Sequence, residues 1–211
     1  EGKEHHILGY YFDWRDSELE DLFASMKHVR EDRIKKILNN LFVHFNIRIT
    51  FEELSAHFNV RNYGRPHIAL VLFKKGLVES VQQAFDLYLY DDGPCNAGKF
   101  PFSSREAVDI IHRKGGIAIL AHPGIHIAQN TDMLDEFMEM GMDGIEVFHP
   151  THTPELAEMY LDYANERDLI VTGGSDYHGY LNEDVFSLNI DLAQEQVNRM
   201  LAKVRRPLLY L

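Results

Sequence analysis

The sequence lacks the features that mark several classes of protein. Cys95 is the single cysteine among 211 residues, so no disulfide can form within the chain and a cytoplasmic location is expected. No apolar run approaches the roughly 20 residues of a membrane-spanning helix, and no secretory signal is visible. Basic residues are scarce, since 21 Lys and Arg face 33 Asp and Glu, for a formal net charge of -12. Such a surface repels nucleic acid and argues against extended duplex as a partner.

The apolar patterning divides the chain into three segments. Residues 1–14 contain a candidate strand, and residues 15–92 show helical spacing of apolar residues with several Ser/Thr…Glu capping signatures. From 93 to 211, short apolar runs alternate with amphipathic helices. Such alternation indicates parallel strands with helices outside them. We therefore expect an α/β fold in which an all-helical insertion separates two strands of a barrel.

Two candidate metal ligands follow a predicted strand and the pair Gly173-Gly174. Asp176 and His178 stand two residues apart on an extended segment, so both side chains project from the same side. A carboxylate and an imidazole suit Zn²⁺, Mn²⁺ or Fe²⁺. The alternative is an Asp that caps the next helix and a His on the surface. The two glycines allow close approach of the backbone, which favours the ligand interpretation.

His122 directly follows another predicted strand, which has no polar residue in its interior. A histidine there either binds a metal or forms hydrogen bonds within the loop. Barrels of the α/β type place their ligands at the carboxyl ends of parallel strands, and a second such strand end favours the metal. His5 and His6 are adjacent on a candidate strand, so only one of them can face a given site.

Two further histidines, His149 and His152, flank Pro150 after the predicted strand at 144–148. They also lie at a strand's carboxyl end, but residues that cap the following helix would occupy the same positions. We favour a structural role for both, in support of the metal ligands rather than on the metal.

Four motifs together resemble the PHP (polymerase and histidinol phosphatase) family, and in particular its bacterial metal-dependent phosphoesterases, which act on nucleotides or short RNA. The order of the motifs along the chain matches as well. They are His6-Ile7-Leu8-Gly9-Tyr10, Ala121-His122-Pro123-Gly124, Gly144-Ile145-Glu146-Val147 and Gly174-Ser175-Asp176-Tyr177-His178.

The resemblance implies the C-terminal part of a distorted (β/α)7 barrel that binds two or three divalent ions, Mn, Zn or Fe. On this basis His6 and His122 would share one ion, Asp176 would bind a second and His178 a third. His122, Asp176 and His178 are the residues that the resemblance implies for catalysis.

The chain departs from the family at its beginning. Family members also contribute a His-x-His motif, an Asp, a Glu and another His from strands that have no counterpart here. We therefore expect a truncated chain, and we expect its exposed barrel edge to pair with a second copy.

The helical segment contains a candidate anion site at Arg65 and His67. Pro66 between them suits the first turn of a helix, where free backbone N–H groups attract negative charge. The alternative is a solvated helix end. Related phosphoesterases use a similar Arg/His cluster to hold the substrate phosphate, which implies substrate binding by these two residues.

The predicted function is metal-dependent hydrolysis of phosphate esters by a metal-activated water. The expected substrates are nucleotide monophosphates or bisphosphates, or short RNA with a 5′-phosphate. Two alternatives stay open: a histidinol-phosphate phosphatase of the same fold, and a non-catalytic PHP module that lacks a full metal site.

Overall fold

A computed structural model describes residues 5–58, 60, 62–98, 101–177 and 194–204. The predicted ligand His178 lies outside these residues. The chain divides into two compact units, here called the sheet unit (residues 1–16 and 101–211) and the helical unit (residues 17–100).

The sheet unit contains four strands in the described residues, arranged in the order of the sequence. They are β1 (Ile7–Tyr10), β2 (Ile117–Leu120), β3 (Gly144–Phe148) and β4 (Ile170–Gly173). β2, β3 and β4 run parallel, as the alternation of strands and helices predicts, whereas β1 is antiparallel to β2. The parallel rule concerns strands joined by one crossover helix, and β1 is joined to β2 through the whole helical unit, so the rule does not determine its direction.

The antiparallel register determines what lies beside the end of β2. Ile7 is opposite Leu120, and the Ala121 N–H donates to the His6 carbonyl at 3.0 Å. The start of β1 therefore meets the carboxyl end of β2. If β1 ran parallel to β2, His6 would lie near the amino end of β2 instead.

Helices follow closely the segments in which apolar residues recur at helical spacing. No helix in the described part of the chain combines the length and the apolar character that a membrane span requires. The α-helices are α1 (Ser17–Phe45), α2 (Phe51–His57), α3 (Arg65–Lys74), α4 (Val81–Ala84, continued by a π-helical turn at Phe85–Leu89), α5 (Ser104–Arg113), α6 (Thr131–Glu139), α7 (Pro154–Glu166) and α8 (Gln194–Lys203).

The sheet has apolar contacts on both faces, as expected of parallel strands between two layers. Side chains of α5, α6 and α7 cover one face, where Leu120, Ile145 and Val171 are buried. The other face buries Ile119 and Ile170. Because successive residues of a strand point to opposite faces, Glu146 belongs to this second face.

The helical unit has a core of its own, which extends past the predicted boundary at residue 92. Cys95 is buried in that core together with Leu41 and Leu72. The Lys36 ammonium also donates to the carbonyl of Ala97 at 3.1 Å. The loop after α4 therefore packs with the helices, and the unit runs to residue 100.

We expect Leu41→Ala to lower the free energy of unfolding by about 2–5 kcal/mol, because it leaves a cavity in the helical core. Leu41 has no exposed surface, whereas Leu87 in the same unit is 48% exposed. Leu87→Ala is the matched control and should cost less than about 1 kcal/mol. Urea unfolding followed by circular dichroism measures both, and equal losses would contradict the described core.

Candidate metal centre

His6 and His122 form a close pair at the junction of β1 and β2. His6 Nδ1 lies 3.0 Å from His122 Nε2, and the ring centroids are 4.9 Å apart. His5 turns the other way and packs edge-on against Phe137, at 4.8 Å between centroids. Of the two adjacent histidines, the structure thus brings one to the candidate site and directs its neighbour into apolar packing.

The backbone of His122 is in the left-handed region, with φ 28° and ψ 57°. This conformation is uncommon for a residue with a side chain and has to be held by its surroundings. It turns the chain out of β2 into a short 3-10 turn at Pro123–Ile125. One such holding contact is a 2.8 Å hydrogen bond, donated by the His122 N–H to Glu146 Oε2.

Glu146 is the residue of this site to which the sequence analysis gave no role. It is only 5% exposed, although its neighbours Ile145 and Val147 belong to the apolar core. Burial raises the pKa of the Glu146 carboxyl, the His122 N–H bond opposes that shift, and Asp176 adds to it. A single charged residue inside a five-residue buried strand is the signal that could have identified it.

The segment after β4 brings Asp176 towards the same carboxylate. Asp176 has φ 48°, and its side chain is exposed. Gly174 lies so close to Glu146 that a Cβ atom there would be 2.5 Å from Oε1. A side chain at position 174 would therefore force the end of the Glu146 side chain to move.

His149 is 6% exposed, and one of its ring nitrogens lacks a partner within the described residues. The Thr151 N–H donates to Nδ1 at 3.2 Å, whereas Nε2 is buried and bonded to no described group. Its ring centroid is 5.3 Å from that of His122. Burial, with His122 as the next contribution, lowers the pKa of His149 to about 4, so the imidazole is neutral at neutral pH.

His152, in contrast, has both nitrogens engaged by the backbone. Nδ1 donates to the Val147 carbonyl at 2.7 Å, and Nε2 accepts from the Gly124 N–H at 3.1 Å. A Cβ at Gly124 would come within 2.4 Å of this ring. These contacts fit the structural role that the sequence analysis favoured for His152.

The donor chemistry of the site suits a divalent ion of the Zn²⁺, Mn²⁺ or Fe²⁺ type. Two imidazoles, His6 and His122, and the carboxylate of Asp176 are the ligand types these ions select. The His6–His122 nitrogen separation of 3.0 Å is close to the ~3.3 Å between two nitrogens on one tetrahedral ion. No group of three or more potential ligands is assembled within the residues that the structure describes. The buried Nε2 of His149 adds a polar atom that needs a partner.

The two candidate substrate-binding residues lie in the helical unit. Arg65 donates to the Leu89 carbonyl at 3.1 Å and forms a short ion pair with Asp91. His67 Nδ1 accepts the N–H of Gly64 at 3.1 Å, which ties the ring to the helix start. Phosphate binding by Arg65 and His67 stays a prediction, and a phosphate would share the guanidinium with Asp91.

Comparison with known proteins shows several relatives, although no family model matches the chain. A 5′-3′ exoribonuclease of Haemophilus influenzae is 30% identical over 206 residues, which cover 93% of this chain and 72% of the relative. A phosphoribosyl 1,2-cyclic phosphate 1,2-diphosphodiesterase of Eggerthella lenta is 40% identical over 87 residues, which span 41% of this chain and only 32% of that protein. The crystal structure of a metal-dependent phosphoesterase from Bifidobacterium adolescentis superposes with a TM-score of 0.78 at 28% identity, over 94% of this chain and 71% of that one.

The buried state of His149 predicts a specific pH dependence of stability. In the unfolded chain its pKa is near 6.5, but in the folded chain the pKa is about 4, so acidification between these values protonates the unfolded chain preferentially. Between pH 7 and pH 5 the wild-type chain should therefore lose about 1–2 kcal/mol more unfolding free energy than His149→Asn.

Urea unfolding at the two pH values measures the difference. His57→Asn, the same change at an exposed position, should keep the wild-type dependence. Identical pH dependence in the wild type and His149→Asn would contradict the buried neutral imidazole.

Proposed function

Because the chain belongs to the PHP family of metal-dependent phosphoesterases, we propose that it hydrolyses phosphate esters of nucleotides or of short 5′-phosphorylated RNA. The observation that carries the proposal is the pairing of His6 with His122 at 3.0 Å. Two imidazoles from distant parts of the sequence meet at the carboxyl end of β2, where α/β enzymes place their chemistry.

The candidate ligands in the described residues are His6, His122 and Asp176. His178, two residues beyond Asp176, joins this set by its sequence motif. A bound divalent ion would lower the pKa of a water molecule and offset negative charge on phosphoryl oxygens. Manganese, zinc and iron all suit these donors.

The neutral state of His149 serves such a site in two ways. A protonated imidazole 5.3 Å from the His122 ring would repel a cation, and burial prevents that protonation at neutral pH. With Nδ1 accepting from Thr151, the proton of the neutral ring is on Nε2. That N–H can donate to an oxygen atom of a bound ligand.

The substrate class rests on the relatives and on charge. The two named relatives act on RNA and on a phosphoribosyl cyclic phosphate, both of which are phosphate esters of ribose. A net charge of -12 disfavours long nucleic acid, because each additional phosphate meets a repulsive surface. We therefore propose mononucleotides, nucleoside bisphosphates and short 5′-phosphorylated RNA as substrates.

The first test measures phosphate release from an adenosine mononucleotide and mononucleotide release from a 5′-phosphorylated dinucleotide, with Mn²⁺, Zn²⁺ or Fe²⁺ and without metal. We expect metal-dependent turnover that falls at least about 100-fold in Asp176→Asn, because a ligand is lost. Asp162→Asn, the same change at an exposed position of α7, is the control and should retain full turnover. Turnover in Asp176→Asn at the control level would contradict the role of Asp176. A wild-type chain that releases neither phosphate nor mononucleotide with any of the three metals would favour a non-catalytic module.

The second test concerns the helical unit. Arg65→Ala should raise KM for the mononucleotide by about 10-fold or more and leave kcat nearly unchanged, because a charge-assisted contact to the phosphate is lost. Lys75→Ala is the matched control, since Lys75 is also a cation paired with a carboxylate, Glu53, at 2.6 Å. Steady-state kinetics separate KM from kcat. Equal KM values for wild type and Arg65→Ala would remove Arg65 from the substrate site.

A further inference from the structure

One buried carboxylate lies against both chain segments that carry candidate ligands. Glu146 is 5% exposed on the middle strand of the three parallel ones. A carboxylate in such a place is unfavourable unless the protein provides hydrogen bonds for it. Its contacts therefore indicate what the fold uses it for.

The first contact is with the segment after β2. The His122 N–H donates to Oε2 at 2.8 Å, and His122 is a left-handed residue with φ 28°. A hydrogen bond to this particular N–H fixes the backbone at the point where it leaves its preferred conformation. The direction of the His122 imidazole towards His6 depends on that backbone.

The second contact is with the segment after β4. The space next to Oε1 is so narrow that a Cβ at position 174 would lie 2.5 Å from it. Gly174 also donates its N–H to the Phe148 carbonyl at 3.0 Å, which anchors the segment to β3. Asp176 follows two residues later. The position of the Glu146 carboxylate therefore affects the path of the chain from β4 to Asp176.

We propose that Glu146 is a positioning residue that holds the His122 segment and the Gly174–Asp176 segment at the spacing required for a shared metal site. This inference rests on the proposed function for its purpose, whereas the contacts themselves can be tested without a metal ion. Glu146 acts through the hydrogen bond accepted by Oε2 and through its fit against Gly174. In this role Glu146 supports the two segments and does not itself bind the ion, while Oε2 accepts the backbone N–H of His122.

The decisive measurement is amide hydrogen exchange at His122, followed by NMR in the metal-free chain. Glu146→Gln keeps a carbonyl oxygen that can accept from His122, whereas Glu146→Ala removes the acceptor. We expect His122 exchange within about 3-fold of wild type in Glu146→Gln and at least about 10-fold faster in Glu146→Ala. Glu158→Ala, on the exposed side of α7, is the control and should leave exchange unchanged.

Gly174→Ala tests the same contact without changing Glu146. The added methyl group must displace Oε1, so exchange at His122 should again accelerate, and this variant keeps the test open if Glu146→Ala does not fold. Unchanged His122 exchange in both Glu146→Ala and Gly174→Ala would overturn the proposal.

Mn²⁺ binding by calorimetry distinguishes positioning from direct ligation. Positioning predicts affinity near wild type in Glu146→Gln and a loss of about 10-fold or more in Glu146→Ala. Equal losses in the two variants, with His122 exchange preserved in Glu146→Gln, would make Glu146 a ligand and overturn the positioning role. A wild-type chain that binds no Mn²⁺ would count against the proposed function, while the exchange measurements would still decide whether Glu146 holds His122.

Discussion

The antiparallel pairing of β1 with β2 is the constraint on which the candidate metal centre depends. Because Ile7 is opposite Leu120, His6, which precedes β1, lies beside the residues that follow β2. The period of side-chain alternation is two, so a one-residue slip would turn His6 away and bring His5 to the site. The same slip would also exchange the two faces of β1 and take Leu8 and Tyr10 away from Ile119 and Ile170, against which they pack. Core packing therefore selects the histidine that reaches His122.

The electrostatics of the centre follow from burial rather than from the overall charge. The chain as a whole is strongly acidic, yet burial lowers the pKa of His149 and of His152, which lie near His122. A neutral imidazole has one nitrogen lone pair and one N–H. A metal ligand needs the lone pair, and a hydrogen-bond donor needs the N–H. Glu146 is the exception, because its carboxylate oxygen accepts a backbone N–H within the buried region. Burial thus favours the neutral imidazoles of His149 and His152, and it leaves Glu146 dependent on the hydrogen bond from His122.

Much of this architecture follows from local sequence patterns. The strands β2, β3 and β4 stand out as short apolar runs between glycines and amphipathic helices, and the ends of two of these runs indicate His122 and Asp176 as site residues. The comparisons confirm the family and the α/β fold class. The Thr50–Glu53 capping signature is also present as the spacing predicts, with the Glu53 N–H donating to the Thr50 hydroxyl at 3.1 Å.

Features that depend on contacts between distant parts of the sequence could not be predicted from the local patterns. The direction of β1 is set by its partner strand, and no local signal in residues 7–10 distinguishes parallel from antiparallel. Glu146 lies within a short strand motif, but its hydrogen-bond donor is a backbone N–H 24 residues earlier. The extension of the helical unit past residue 92 depends on Cys95 entering a core formed by helices far away in sequence. Pairing of two copies through a sheet edge likewise stays a prediction.

The two units offer different chemistry to ligands. The sheet unit offers imidazole nitrogens and carboxylates, which are ligand types for cations, whereas the helical unit offers the guanidinium of Arg65 at a helix start. Asp91 already forms an ion pair with that guanidinium. A phosphate would therefore gain only the difference between its own interaction energy with Arg65 and that of Asp91. Phosphate binding by Arg65 alone would then be weak.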